Sequence, residues 1–269
     1  MANFERRRKL NIQSLAFLMW MLCHVIYGPS NCSYALQSSN WIKVEVTQVL
    51  CASDLAPLRS SPIGRLECAI ACRKHHNCRT FMFTPLPTSS VGTCSWCPAF
   101  STRATTFTTT EQPMEIWSPV SGRLLSPAFS INLAIPSLLT EGRILTVRGR
   151  VPSPPPLRFW FSLVLYNQDI VYQPHVVFDH GIYTETIIMG YRIGSVWHSH
   201  NIPQEMFPFR ANEDFEIVVL VTTEGFITYI NGRFMTTMNS KEVMDGEIGY
   251  IFFGNNDVGS VVEFKEAIF

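Results

Sequence analysis

Residues 215–222, Phe215-Glu216-Ile217-Val218-Val219-Leu220-Val221-Thr222, are followed across Glu224-Gly225 by Phe226-Ile227-Thr228-Tyr229-Ile230-Asn231-Gly232. Successive side chains of a strand point to opposite faces, so Phe215, Ile217, Val219 and Val221 share one side. The other side holds Glu216, Val218 and Leu220, which leaves this strand mostly apolar on its outer face as well. Glu224-Gly225 and Asn231-Gly232 are turn signals, and an Asn-Gly pair next to alternating residues is a strong hairpin signature.

The same period of two extends outward in both directions. Strands are expected at 129–133, 144–151, 158–165, 170–177, 184–190, 226–231, 248–253 and 261–268, with breaks at Glu141-Gly142 and across the prolines of 152–156. Many short strands, few helix signals and no cysteine point to an antiparallel β-sandwich over residues 125–269.

The other end of the chain differs in kind. All eight cysteines, Cys23, Cys32, Cys51, Cys68, Cys72, Cys78, Cys94 and Cys97, precede residue 98. A cysteine-dense module followed by a cysteine-free one fits an exported chain whose small first domain needs covalent staples. Residues 1–30 have the form of a signal peptide, with Arg6, Arg7, Arg8 and Lys9 ahead of a 13-residue apolar run at 15–27. Cleavage after Ser30 uses Gly28 and Ser30 as its small residues, and cleavage after Ala35 uses Ser33 and Ala35. The scarcity of polar residues between Leu10 and Tyr27 keeps a signal anchor as the alternative. Asn31-Cys32-Ser33 is an N-glycosylation sequon, and Asn31 carries sugar only where cleavage falls upstream of it.

Within residues 41–100, Val44 and Val46 alternate with Glu45 and Thr47 in a first strand. A helix is expected over 60–75, capped by Ser60 or Ser61 before Pro62, with Leu66, Ala69, Ile70 and the cysteines on its buried face. Cys68 and Cys72 lie one turn apart on one face and are expected to bond to different elements rather than to each other. A metal site at Cys94-x2-Cys97 competes with this reading, but an exported chain favours disulfides, and His75 and His76 read as solvated. The cysteine-bearing first strand, the helical Cys68-Ala69-Ile70-Ala71-Cys72, Cys78-Arg79-Thr80-Phe81 and the last strand with Cys94 resemble the PAN/apple family. That resemblance implies a small α+β domain with the pairs Cys68–Cys94, Cys72–Cys78 and Cys51–Cys97. Residues 101–124 read as an extended Thr/Pro-rich linker, since six of the thirteen residues from Ser101 to Pro113 are threonine.

Three phrases of the C-terminal domain resemble the galectin family of jelly-roll lectins. They are Leu139-Thr140-Glu141-Gly142-Arg143-Ile144-Leu145-Thr146-Val147-Arg148-Gly149, Phe207-Pro208-Phe209 with Asn212 and Phe215, and Phe226 to Phe234 with its Asn-Gly turn. The resemblance implies a β-galactoside site made by His-x-Asn-x-Arg on one strand, Asn on the next and Trp-x-x-Glu-x-Arg after it. Here Val171, Gln173 and His175 occupy the first motif, with Pro174 kept, and Gly190 stands at the second-strand Asn with Tyr191 beside it. Trp197 is retained, while the following positions fall on His200 and Ile202, or on Asn201 and Pro203. The candidate carbohydrate-binding residues are therefore Gln173, His175, Tyr191, Trp197 and His200. A competing reading makes Trp197 a core or interface residue and the polar ones ordinary surface groups.

Other functions are excluded by what the residues lack. With residues 1–30 removed, Arg6, Arg7, Arg8, Lys9 and Glu5 are lost from 21 basic and 21 acidic residues, leaving 17 and 20, a net charge of −3. Without a concentrated basic patch, no nucleic-acid partner is expected. There is no nucleophile elbow or paired-carboxylate arrangement, and the stretch from Gly190 to Gly194 precedes no helix, so no enzyme is expected. No cofactor is expected, and His198 and His200 lack a third ligand for a metal.

The reading is a secreted, extracellular, galectin-like protein with altered or reduced β-galactoside specificity, whose partners are glycans, glycoproteins, or cell-surface or matrix proteins. The alternative is an adhesion or protein-interaction module on a galectin scaffold that has lost sugar binding. A third reading is a structural protein that assembles through the first module. Secreted material is expected to begin between Gly28 and Gln37. N-terminal sequencing checks this, and an intact Met1 on a membrane-held product would establish the signal anchor instead.

Overall fold

The computed structural model describes residues 41–49, 56–76, 78, 80–97, 108–120, 123–127, 129–135, 139–240, 247–255 and 260–269. Residues 1–30, Asn31 and Cys51, with the expectations attached to them, lie outside the described residues. Ile42–Phe269 forms one compact unit.

Its first part is a helix on a small sheet. The elements are β1 (Trp41–Val49), β2 (Ala56–Pro57), β3 (Ile63–Gly64), α1 (Arg65–Lys74), β4 (Phe81–Pro85), β5 (Val91–Trp96) and β6 (Thr108–Pro119). The sheet order is β1-β6-β4-β5-β2, with β3 also on β5. Cys68 bonds to Cys94 on β5, and Cys72 to Cys78 ahead of β4, so one face of α1 is tied to two separate places. Cys97 is also disulfide-bonded.

The helix departs from expectation at its start and on its apolar face. Ile63 and Gly64 are taken up by pairing with Gly92 and Val91, so α1 begins at Arg65 and the cap is Gly64 rather than Ser60 or Ser61. Glu67 accepts the Gly64 N–H at 2.9 Å, satisfying one of the open donors of the first turn. The disulfides turn Cys68, Ala69 and Cys72 inward, which places Leu66 and Ile70, two residues away in either direction, on the exposed side at 45% each.

The stretch read as a linker contains β6, whose Glu115, Ile116 and Trp117 pair with Phe83, Met82 and Phe81 of β4. Threonine is β-branched and suits a strand, and a composition argument for a linker overlooks that preference. Ile116 and Ser118 are buried on one face of β6. Glu115, on the other, takes a two-pronged ion pair from Arg65 at 2.7 and 3.0 Å.

The second part is a sandwich of two antiparallel sheets. Its elements are β7 (Arg123–Leu125), β8 (Asn132–Ala134), β9 (Ile144–Arg150), β10 (Arg158–Leu165), β11 (Ile170–His180), β12 (Tyr183–Ile193), β13 (Val196–Ile202), the 3-10 turn Gln204–Met206, β14 (Asp214–Thr222), β15 (Gly225–Ile230), β16 (Arg233–Asn239), β17 (Ile248–Asn255) and β18 (Glu263–Ile268). One sheet runs β13-β12-β11-β10-β17-β8 and the other β16-β15-β14-β9-β18-β7. Asn231 and Gly232 both adopt positive φ, at 50° and 76°, as the tight β15–β16 turn requires. Phe159, Phe161, Phe215, Phe253 and Phe264 fill the space between the sheets, with Phe159 stacked on Phe215 at 5.3 Å and edge-on to Phe209 at 5.5 Å.

The apolar outer side of β14 also has a partner. Val218 and Leu220 join Ile144, Ile227, Tyr229 and Ile268 in a second cluster that meets Met82 and Ile116 of the small sheet and Cys97 just after β5. The Thr80 hydroxyl donates to the Gly142 carbonyl across the same seam. The two parts therefore share buried surface, and β14 is buried on both faces. Replacing Leu220 with alanine is expected to lower unfolding stability by about 2–5 kcal/mol, whereas Ile70→Ala should change it by only about 0.5 kcal/mol. Denaturant unfolding of both variants tests the assignment of one side chain to the seam and the other to solvent.

Candidate functional site

Since Phe159 and Phe161 face the core, the intervening residues of β10 face outward. Arg158, Trp160 and Ser162 thus form the floor of a groove of about 560 Å³ on the sheet that contains β10 to β13. Gln173 and His175 enter from β11, Ile188, Gly190 and Arg192 from β12, and Trp197 and Ser199 from β13. Register places these side chains in rows. His175 pairs with Trp160 on one side and Ile188 on the other. Gln173 pairs with Gly190, which pairs with Ser199, while Ile170 pairs with Arg192, which pairs with Trp197.

Two indoles lie in the groove, three strands apart and offset by four residues along β13, roughly 20 Å between their positions at ordinary strand spacing and rise. The Trp160 ring spreads over Gly254, where an added Cβ would come within 2.1 Å of the indole, so a glycine is needed beneath it. Its other neighbours are His175, at 5.1 Å between rings, and the Arg158 guanidinium, 5.5 Å from the ring centre. Trp197 is 49% exposed, and the Arg192 guanidinium lies 5.8 Å from its ring centre. Arg192 also donates to the Gln168 carbonyl at 3.0 Å, and Asp169 accepts the Gly194 N–H at 2.7 Å, tying the β10–β11 and β12–β13 turns together at the Trp197 end. Gly190 sits beside Trp197 at a close approach of the strands: an added Cβ would stand 3.2 Å from the His198 carbonyl oxygen and 3.7 Å from the indole.

The groove brings together Gln173, His175 and Trp197 and separates them from Tyr191 and His200. Strand alternation is the reason, because Gly190 and Arg192 face the groove and Tyr191 between them cannot. Tyr191 stacks on His198 at 4.8 Å with the rings 6° from parallel. His200 reaches Thr236 of the other sheet at 3.1 Å. Of the two placements open after Trp197, Asn201 shares the face of Trp197 and pairs with Ile188, whereas Ile202 is buried. Val171 is fully buried with the core, next to a register irregularity between Ile170 and Gln173.

Sequence reasoning missed Trp160, Arg158 and Arg192. A signal for the first two was present, since a tryptophan alternating with buried phenylalanines has to face outward. The strand carrying Trp197 was also missed, because all of Val196–Asn201 is exposed at a sheet edge and shows no apolar alternation.

Burial pushes the His175 imidazole down to about 4, helped by the nearby charge of Arg158, and its Nε2 has no hydrogen-bond partner. Partial burial also lowers His200. His175 is therefore neutral at pH 7 and occupies the groove as a neutral hydrogen-bonding group. His175 lies on the opposite face of the sheet from His198 and His200.

Residues 130–251 match the profile of the galactoside-binding lectin family. Galectins are lectins rather than enzymes. Solved structures similar to this chain include Caenorhabditis elegans galectin LEC-6, with 17% identity over 54% of this chain and 94% of that one at a TM-score of 0.45. An ancestral congerin, Con-anc, shows 19% identity over 51% and 100% at 0.42. Toad ovary galectin in complex with N-acetylgalactose shows 14% over 52% and 96% at 0.44. A comparison with curated protein sequences found no match.

A histidine whose folded value lies below its unfolded value of about 6.5 binds its proton more readily in the unfolded chain, so stability present above that pH is lost as pH falls toward 4. The His175 ring is expected to titrate near 4 by NMR. His175→Gln should flatten the fall in unfolding stability between about pH 6.5 and 4. A ring midpoint near 6.5 would place His175 in solvent.

Proposed function

We propose that this chain is a secreted carbohydrate-binding protein whose groove takes glycans other than simple β-galactosides. The observation that carries the reading is the pair of indole faces, Trp160 and Trp197, in one groove with Gln173, Ser162 and Ser199 between them. Sugars present an apolar ring face and a rim of hydroxyls, and aromatic planes beside planar or hydroxyl hydrogen-bonding groups suit both. The match of residues 130–251 to galactoside-binding lectins supports the sugar class.

The altered specificity rests on positions that have lost their partners. Val171 is in the core, Gly190 has no side chain, and His200 faces away from the groove. Each hydroxyl buried without a partner costs about 1–3 kcal/mol, so two such losses exceed what one indole stack restores. Secretion is supported by the bridges Cys68–Cys94 and Cys72–Cys78 together with the basic and apolar start of the chain. The helix held to its sheet by these bridges supports a PAN/apple type for the small module, which would add contacts to glycoproteins, cell-surface or matrix partners.

A glycan array probed with the full secreted chain is expected to return binders, and lactose titration to give no low-micromolar affinity. Trp197→Ala should weaken the best binder at least about tenfold, or about 1.4 kcal/mol. An empty array would leave a protein-interaction module as the better account.

A further inference from the structure

We propose that the groove recognises an acidic oligosaccharide, with Arg158 and Arg192 receiving its sulfate or carboxylate groups. This rests on the carbohydrate reading of the groove and names the class of sugar. The residues lining the groove include two guanidinium groups and no aspartate or glutamate.

The two arginines also differ from the ion-paired arginines of the fold. Arg65 is paired with Glu115, Arg123 with Glu266, Arg148 with Glu216 and Glu266, and Arg150 with Asp214. Among the described residues, neither Arg158 nor Arg192 has an acidic partner within ion-pair distance. The Nε atom of each is buried without an acceptor, as is Nε2 of His175 beside Arg158. Leaving a buried donor of a charged group unsatisfied is unfavourable, and an incoming anion relieves it. Each guanidinium lies over an indole face, Trp160 for Arg158 and Trp197 for Arg192, and Arg192 also donates to the Gln168 carbonyl. A cation resting on an aromatic plane keeps its charge available to a ligand lying against the same plane. An acidic sugar offers both components, a ring to stack and an anion to pair.

The spacing sets the size of the ligand. Arg158 pairs with Val177 and Arg192 with Ile170, seven residues apart along β11, which is roughly 20 Å at strand rise. One anion cannot reach both, so the two arginines mark the ends of a site for an oligosaccharide with separated acidic groups. No carboxylate lines the groove to repel such a ligand.

The test uses the full secreted chain and one carbohydrate backbone in three charge states: a chondroitin sulfate hexasaccharide, its desulfated form retaining the carboxylates, and a desulfated form with the carboxylates reduced to alcohols. Titration calorimetry is expected to show an acidic form binding at least about tenfold tighter than the neutral form. That affinity should weaken as salt rises from about 50 to 300 mM. A preference confined to the sulfated form assigns sulfate, and retention of affinity by the desulfated form assigns carboxylate. Arg158→Gln and Arg192→Gln should each weaken the acidic form at least about fivefold and flatten its salt dependence. Arg→Lys at each position, with an unchanged thermal midpoint, should restore part of the salt dependence and separates loss of charge from loss of fold. Equal affinity for all three forms without salt dependence overturns the acidic-ligand proposal and leaves the carbohydrate reading standing. No binding of any form together with an empty glycan array overturns both. No binding of the three forms while the array returns only neutral glycans overturns the acidic-ligand proposal alone.

Discussion

Phe159 and Phe161 are fully buried between the two sheets, and their burial dictates what lies on the outside of β10. Side chains of a strand alternate, so anchoring these rings inward turns Arg158, Trp160 and Ser162 outward without any further instruction. Hydrogen bonding to β11, β12 and β13 then passes the same alternation across the sheet. It brings His175, Gly190, Arg192, Trp197 and Ser199 to the same face and removes Tyr191, His198 and His200 from it. A one-residue slip in any of these strands would exchange the groove for its complement.

The parts of this molecule legible in the sequence are those where a local pattern and the final environment agree. Ile217, Val219 and Val221 alternate on a face that is buried, and Asn231-Gly232 sits in a turn that needs positive φ. Cys68 and Cys72 share a helical face and bond to separate elements. Where tertiary context overrides local pattern, the reading fails. Leu66 and Ile70 look like core residues on composition, yet the two bridges rotate them into solvent. Ser60 and Ser61 are good caps by chemistry, but pairing of Ile63 and Gly64 with β5 shifts the helix start past them. Around Trp197, a motif alignment cannot tell which side of the strand each position takes, since an insertion of one residue moves every following side chain to the other face. The apolar outer side of β14 was visible in the sequence without its reason, because the residues that cover it, Met82 and Ile116, come from far upstream.

The proposed change of ligand class turns on the balance of donors and acceptors in the groove. A site that matches neutral hydroxyls needs donors and acceptors in near balance. Here the acceptors are neutral amides, hydroxyls and an imidazole, and the two strongest donors are cations placed on aromatic planes. His175 completes the contrast: burial and the neighbouring guanidinium keep it neutral, so it supplies a hydrogen bond without adding to the positive field.

The seam between the small sheet and the sandwich has a consequence for valency. Ile144, Val218, Leu220, Ile227, Tyr229 and Ile268 are covered by the chain's own upstream residues, and the neighbouring Glu216 and Glu266 are ion-paired with Arg148 and Arg123. Among the described residues, a second copy therefore finds no free apolar patch there against which to pack back to back. Each molecule presents its groove on one sheet and a closed, self-occupied surface over this part of the other. Under the proposed function, avidity toward a clustered ligand would come from contacts made elsewhere, or from several grooves engaging repeats of one long chain.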